Sequence, residues 1–330
     1  MKKTKLLVSG YTTDDLPSVK LFAKKKTHFQ CIWSDTIQSP TFLTTNNKFM
    51  FAVTETEGES DFYMYKTCKD RYKQLDCFHV TIGGVCHILY LEKAKILIAS
   101  SYGEGVLFTI KVENEAFHSI SNKFVFGSDK IKSRIHCSIT NKDETKIYAT
   151  DLGLDCLYEF ELVKGALVEV DTLPLPSGSG PRHLCFGVDE RYVYILTEYS
   201  NEIFLIDLTG KRMNHIKTNV NRTICEEGQH LGASLCISHD KRFLYTSTRG
   251  QNCINVHEII NEKELKEVQN IYTGGIWPRH IAFVEREKYL YVANQFSNDL
   301  TIFKRNKKSG LLKSMDYRID FEKVSFVKEI

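Results

Sequence analysis

YVYILTEYSNEIFLIDL, residues 192–208, holds two runs of β-branched and aromatic residues separated by a polar turn. The pattern recurs as KIYATDLGLDCLYEFEL from Lys146, FLYTSTRGQNCINVHEI from Phe243 and YLYVANQFSNDLTIFKR from Tyr289. KILIASSYGEGVLFTIKV from Lys95, KFMFAVTETEGESDFYMYKT from Lys48 and KLLVSGYTTDDLPSVKLF from Lys5 follow the same template. A helical repeat of this length would space its apolar residues by 3.6, whereas these runs are Tyr-, Ile-, Val- and Phe-rich and broken by turns.

Seven copies begin at residues 5, 48, 95, 146, 192, 243 and 289. Successive starts lie 43 to 51 residues apart, the period of a four-stranded propeller blade. Shorter β-like runs precede most copies, at His87 (HILYLE), His136 (HCSIT), His183 (HLCFGV), Leu235 (LCIS) and His280 (HIAFV), and are expected to form the innermost strands. The variable stretches, such as Lys111 to Phe126 and Glu161 to Leu175, are left for the outermost strands and connections. The first copy lacks an inner strand, and Val324 to Ile330 is the segment available to supply it. Joining the chain ends in one blade leaves no open sheet edge. The expected fold is all-β: one seven-bladed β-propeller domain over residues 1–330.

Composition agrees with a globular chain, with 42% hydrophobic and 26% charged residues. The 44 basic and 41 acidic residues leave a formal charge of +3, and the basic residues are scattered, which does not imply nucleic acid. Ten cysteines are spread along the chain without a CxxC pair, so reduced thiols packed as small hydrophobes are expected. The apolar stretch Leu6–Val8 is too brief for a signal-peptide core, and no run approaches the roughly 20 residues of a membrane span. A cytoplasmic location without membrane contact is the expectation. Nothing indicates oligomeric state.

In an antiparallel hairpin the start of the first strand neighbours the end of the second. Arg182 to Glu198 and Arg279 to Gln295 are 16 residues apart, and His136 to Asp151 is 15, so each pair meets at one blade end. Repeated over the blades, this rule gathers His87, His136, Asp151, Arg182, His183, Glu198, Arg249, Arg279, His280, Asn294 and Gln295 at one channel mouth. Charged groups recurring at equivalent points fit a site that binds an anion and moves protons, because buried charges without partners are costly. Each has a second reading. Arg182 and Arg279 could instead tie adjacent blades through hydrogen bonds to carbonyls, a reading that weighs more for Arg279 than for Arg182; the histidines could only satisfy backbone groups, and Asp151, before Leu152-Gly153, could cap a turn. The histidines lack HxH or HExxH spacing and no cysteine cluster accompanies them, so neither a metal nor another cofactor is expected. A GxSxG elbow is also missing.

GPRHLCF from Gly180, the segment Thr197-Glu198-Tyr199 and the turn Ser247-Thr248-Arg249-Gly250 resemble the seven-bladed lactonase family. That family includes propeller-type bacterial 6-phosphogluconolactonases and the fungal carboxymuconate cycloisomerase. HCSITNKDETKIYATDLG from His136 and WPRHIAFVEREKYLYVANQFSN from Trp277 are similar to further family signatures. The resemblance spans nearly the whole chain and implies a catalytic set of His136, Arg182, Glu198 and Arg249. His183, Arg279, Asn294, Gln295, Asp151 and His87, from the set gathered at the channel mouth by the hairpin rule, are expected to contact substrate. The chain departs from the family at Ser234, where an acidic residue is usual, and at Thr248 and Ser101, where Asn is usual. The Ser234 and Ser101 departures leave the substrate open.

The activity implied is hydrolysis of a small anionic lactone, 6-phosphogluconolactone first among them. Glu198 or His136 would act as base and the other as proton donor, while Arg182 and Arg249 hold the oxyanion and the substrate's anionic group. The rivals are a muconate-type cycloisomerase using the same residues and a propeller that only binds partners.

Overall fold

The computed structural model describes residues 4–12, 16–26, 28–128, 130–210, 212–216, 230–261 and 264–330. The chain is an all-β, seven-bladed propeller built of seven four-stranded sheets. The first blade pairs the C-terminal strand Val324–Glu329 with Lys5–Gly10, followed by Val19–Lys25 and His28–Asp35. The ladder runs antiparallel from Leu6 opposite Glu329 to Gly10 opposite Val324, so the C-terminal segment supplies the strand that the first repeat lacks. The other blades follow in chain order, each starting from its inner strand: Phe42–Thr45, Val85–Leu91, Ile135–Thr140, Pro181–Phe186, Leu231–Ile237 and Pro278–Val284.

Two compact units are present. One comprises Met1–Tyr11, Lys20–Cys31 and Arg182–Ile330, the other Thr12–Val19 and Ile32–Pro181. Within the first, Phe243, Tyr245, Ile254 and Val256 of the sixth blade pack against Ile281, Leu290, Val292 and Phe303 of the seventh. Within the second, Phe51, Phe62 and Met64 pack against Ile88, Leu97 and Phe108. Burying each such side chain is worth about 1.5–3 kcal/mol. Strands near the middle of a blade are covered on both faces, so Tyr192–Thr197 is buried throughout. The outer strand Ala166–Pro174, with residues such as Val168 and Val170 facing solvent, is mostly uncovered. Continuous apolar runs therefore mark middle strands and mixed runs mark outer ones.

The hairpin joining the second and third strands positions the candidate site. Ser101 pairs with Val106, Asp151 with Cys156, Thr248 with Cys253 and Asn294 with Asp299, leaving a four-residue turn in each case. The last turn residue is left-handed each time: Gly105, Asp155, Asn252 and Asn298 have φ between 51° and 65°. Glycine, Asn and Asp tolerate that conformation best. The first turn residue, at or just beyond the end of the second strand, is thereby presented at the blade end; it is Tyr102, Leu152, Arg249 or Gln295, and Glu198 by alignment of the repeats.

Candidate active site

Glu198 lies at the end of the fifth blade's second strand, 9% exposed, between two more deeply buried arginines. Arg182 Nε donates to Glu198 Oε2 at 2.9 Å, and Arg249 Nη2 lies 2.8 Å from the same oxygen. Each guanidinium is fixed again by backbone, Arg182 through Nη1 to Ala233 O and Arg249 through Nη2 to Gly232 O at 3.0 Å. Gly232 makes the convergence possible. Its N–H donates to Glu198 O at 3.0 Å, and a Cβ there would sit 2.1 Å from Thr197 O, so only glycine lets the two strand ends approach this closely.

The carboxylate is asymmetric. Oε2 takes both guanidiniums, while Oε1 accepts no hydrogen bond from the described residues and the side chain keeps 12% of its surface open. Burial draws the Arg249 guanidinium down from its ordinary value, Glu198 pulls it back up, and nearby Arg279 adds to the lowering. Arg249 Nε is buried and has no hydrogen-bond partner among the described residues.

Arg249 also lies over the indole of Trp277, 5.5 Å from the ring centroid. Trp277 has φ 66°, a costly conformation for a bulky side chain. It is held there by its N–H to Asn252 Oδ1 at 2.7 Å and by Gln295 N–H to its carbonyl at 3.0 Å. Its far edge extends to Phe296, stacked at 4.8 Å. Arg279, only partly buried, donates from Nη2 to Tyr11 Oη at 2.5 Å and sits 5.0 Å from the Tyr11 ring centroid.

Arg182, Glu198, Arg249 and Arg279 are thus gathered in one unit, with Tyr11 and Trp277 beside them, while His136 belongs to the other unit. There His136 is 5% exposed, its ring meets Tyr102 edge-on at 6.0 Å, and its carbonyl accepts the Cys86 thiol.

Other residues expected to contact substrate are placed differently. Asp151 is fully buried and saturated from its own blade: Oδ2 accepts Ser133 Oγ at 2.5 Å, and Oδ1 accepts the N–H groups of Arg134, Gly153 and Leu154 at 2.8–3.0 Å. It caps the turn. His87 packs on Phe42 at 4.3 Å and accepts Ser138 N–H through Nδ1 at 3.4 Å, tying its strand to the next blade. His280 repeats this against Phe326 and Val327 N–H at 3.5 Å, and burial pushes its imidazole down to about 3. His183 holds the same strand position and is partly buried. Asn294 is fully buried, donating to Asp299 and Thr301, and a Cβ on Gly275 would meet its side chain at 2.4 Å. Gln295 is partly buried, with Oε1 covered and unpartnered among the described residues.

The departures from the family pattern also have local explanations. Ser101 Oγ donates to Gly83 O at 2.6 Å and accepts Glu104 N–H at 3.1 Å. Ser234 Oγ accepts Ile281 N–H at 3.4 Å, the link to the next blade that His87 and His280 make elsewhere. Thr248 Oγ1 donates to Asn201 Oδ1 at 3.3 Å. Among the described residues, no three His, Cys, Asp or Glu side chains converge to hold a metal ion.

Tyr11 and Trp277 were not among the residues expected in the site. Tyr11 stands one residue beyond Lys5–Gly10, the position Glu198 holds after Tyr192–Thr197, but the longer TTDDLPS segment that follows it hides that equivalence in the sequence. Trp277 stood in a quoted motif, but nothing in sequence announces its backbone conformation.

Residues 5–329 match the family model described as Lactonase, 7-bladed beta-propeller. The chain is 26% identical over 321 residues to a Bacillus subtilis protein named 6-phosphogluconolactonase, covering 92% of each. It is 28% identical over 302 residues to a Formosa agariphila protein of the same name, covering 85% of each. Among solved structures, a periplasmic gluconolactonase of Pseudomonas aeruginosa superposes with a TM-score of 0.88 at 20% identity, covering 100% of this chain and 99% of that one. A Bacteroides fragilis protein described as a candidate 6-phosphogluconolactonase superposes with a TM-score of 0.89 at 22% identity, covering 99% and 98%.

Proposed function

The chain belongs to the seven-bladed β-propeller lactonase family, and from that premise we propose that it hydrolyses a sugar lactone, with 6-phosphogluconolactone the leading substrate. The observation that carries the reading is the asymmetry of Glu198: one oxygen clamped by Arg182 and Arg249, the other open. A carboxylate fixed by one oxygen and free at the other is oriented to take a proton from water.

The chemistry follows from these groups. Glu198 Oε1 accepts a proton from a water as the water oxygen bonds to the lactone carbonyl carbon, and the carbonyl π pair moves onto its oxygen. The arginines beside Glu198 stabilise the charge that develops there. The oxyanion collapses, the ring C–O bond breaks, and the proton on Glu198 passes to the leaving alkoxide. The new carboxylic acid then ionises into solvent.

The test is turnover of freshly made 6-phosphogluconolactone, followed by acid release against the spontaneous background, for the native protein and Glu198→Gln. The amide keeps the shape but cannot take the proton, so kcat should fall by about 10²–10⁴-fold. Equal rates would remove Glu198 from the reaction, and no rate above background in the native protein would remove this substrate. The family resemblance also carries His136. His136→Asn in the same assay decides whether it shares the proton transfers: a loss of about 10²-fold or more assigns it a part, and an unchanged rate leaves both transfers to Glu198.

A further inference from the structure

Arg182 and Arg249 clamp the same oxygen of Glu198 but are gripped differently. Arg182 uses two nitrogens, Nε to the carboxylate and Nη1 to Ala233 O. Among the described residues, Arg249 makes both of its polar contacts through Nη2, to Glu198 Oε2 at 2.8 Å and Gly232 O at 3.0 Å, and its buried Nε has no partner. Anchorage at one corner leaves the rest of the guanidinium plane able to tilt, since a hydrogen bond weakens steeply only below about 120°. What opposes the tilt is the indole of Trp277, whose ring centroid lies 5.5 Å from the guanidinium carbon. A planar cation lies well on an aromatic face.

Trp277 occupies a position that two other blades give to glycine. It directly precedes the inner strand Pro278–Val284, as Gly84 precedes Val85–Leu91 and Gly180 precedes Pro181–Phe186. All three are left-handed, with φ of 62°, 65° and 66° for Gly84, Gly180 and Trp277. Glycine takes that conformation freely, whereas a bulky side chain is strained in it. The seventh blade keeps the strained residue. The turn of residues 249–252 holds it there: this turn carries Arg249 at its start and, through Asn252 Oδ1 at its end, accepts the Trp277 N–H at 2.7 Å. Phe296, stacked on the indole at 4.8 Å, supports the ring. Strain kept beside a candidate reacting group points to a side chain that the site requires.

We infer that Trp277 is a positioning residue for Arg249: its indole holds the guanidinium plane so that the donors not used on Glu198 and Gly232 meet the substrate's carbonyl oxygen as it gains charge. Groups fixed in this way act in the transition state without first reorienting. The part played in turnover rests on the lactonase reading; the holding of the plane does not.

The plane is tested without substrate, by nuclear spin relaxation of the Arg249 Nε–H in the full chain carrying isotope-labelled arginine, the resonance being identified by its loss in Arg249→Lys. The native group should show an order parameter of about 0.85, that of rigid backbone. Trp277→Gly and Trp277→Asn, residues that suit the left-handed backbone, should each lower it below about 0.6. Trp277→Phe, which keeps a ring, should stay near the native value. A low value in the native protein, or a high one that survives loss of the ring, overturns the inference.

In turnover of 6-phosphogluconolactone, Trp277→Gly should lower kcat by about 10–100-fold with little change in KM, because Arg249 meets charge that develops only in the transition state. Trp277→Phe should recover most of the loss. In an Arg249→Lys background the same Trp277→Gly change should cost almost nothing more, as for two residues that act as one unit. Equal losses in the two backgrounds, or a loosened guanidinium with unchanged turnover, overturn the inference. If the native protein opens no lactone while loss of the ring still loosens Arg249, the lactonase reading fails and the indole's hold on the arginine stands.

Discussion

Asp151 and Glu198 are carboxylates at almost the same point of two blades, one at the end of the second strand of the fourth blade and one just beyond that of the fifth. Their surroundings divide them. Asp151 receives four donors, all from residues 133–154 of its own blade, and no surface of it is exposed. Glu198 receives two guanidiniums on one oxygen and keeps the other open. A carboxylate saturated by local donors stabilises a turn; one clamped on a single side retains capacity for chemistry. Composition at a blade end is therefore a poor guide to function, and the count of unsatisfied lone pairs is a better one.

Glu198→Gln marks the large end of this comparison, with its effect in turnover. Asp151→Ala should put its effect in stability. It strips a buried hydroxyl and three backbone N–H groups of their acceptor, at a cost of about 2–4 kcal/mol. Denaturant melts should show the lowered midpoint, and lactone turnover per folded molecule should be retained. A stable Asp151→Ala protein that had lost turnover would break the comparison, because Asp151 would then belong to the site.

The same distinction separates two histidines, His257 fully buried and His280 partly so. His280 has a backbone donor and an aromatic neighbour, whereas both ring nitrogens of His257 lack a partner among the described residues. Burial pushes both down, His257 to about 4 and His280 to about 3. The unfolded chain protonates each near 6.5, so below that pH it binds more protons than the folded chain. Stability is thus complete above about pH 6.5 and is lost as pH falls toward the folded values, at about 1.4 kcal/mol per pH unit for each histidine. His257→Leu should make this decline shallower, by about 2 kcal/mol between pH 7 and pH 5, read from urea melts at the two pH values. Equal declines in the two proteins would show that His257 does not titrate in this way.

The blades were legible because their middle strands are buried on both faces, so each copy reads as an apolar run from Lys5 to the last at Tyr289. The missing inner strand was legible for the same reason in Val324–Glu329. Arg182 and Glu198 could be paired from a 16-residue return, since a hairpin brings its ends together whatever its side chains. Direction at the inner-strand entry was not legible. Register shifts fall between Val85 and His87, Ile135 and Ser138, and Pro278 and His280. A one-residue shift turns a side chain to the opposite face, which is how His87 and His280 come to face a neighbouring strand while Arg279 faces Tyr11. Tyr11 itself was masked by the longer TTDDLPS segment that follows it in the first copy.

Ser234 gives the comparison its smallest and most discriminating test. An acidic residue is usual there in the family pattern, which invites the reading that its loss alters the substrate. In this chain, however, Ser234 Oγ accepts Ile281 N–H at 3.4 Å from the next inner strand, the task of His87 toward Ser138 and of His280 toward Val327. A bond that long is weak. Ser234→Ala should therefore cost no more than about 1 kcal/mol of stability and leave the preference between phosphorylated and unphosphorylated lactones unchanged. Competition between the two lactones in one reaction reads that preference without depending on protein concentration. A shift in the product ratio would place Ser234 among the groups that face substrate, and the saturated and open positions would then no longer divide structure from chemistry in this blade.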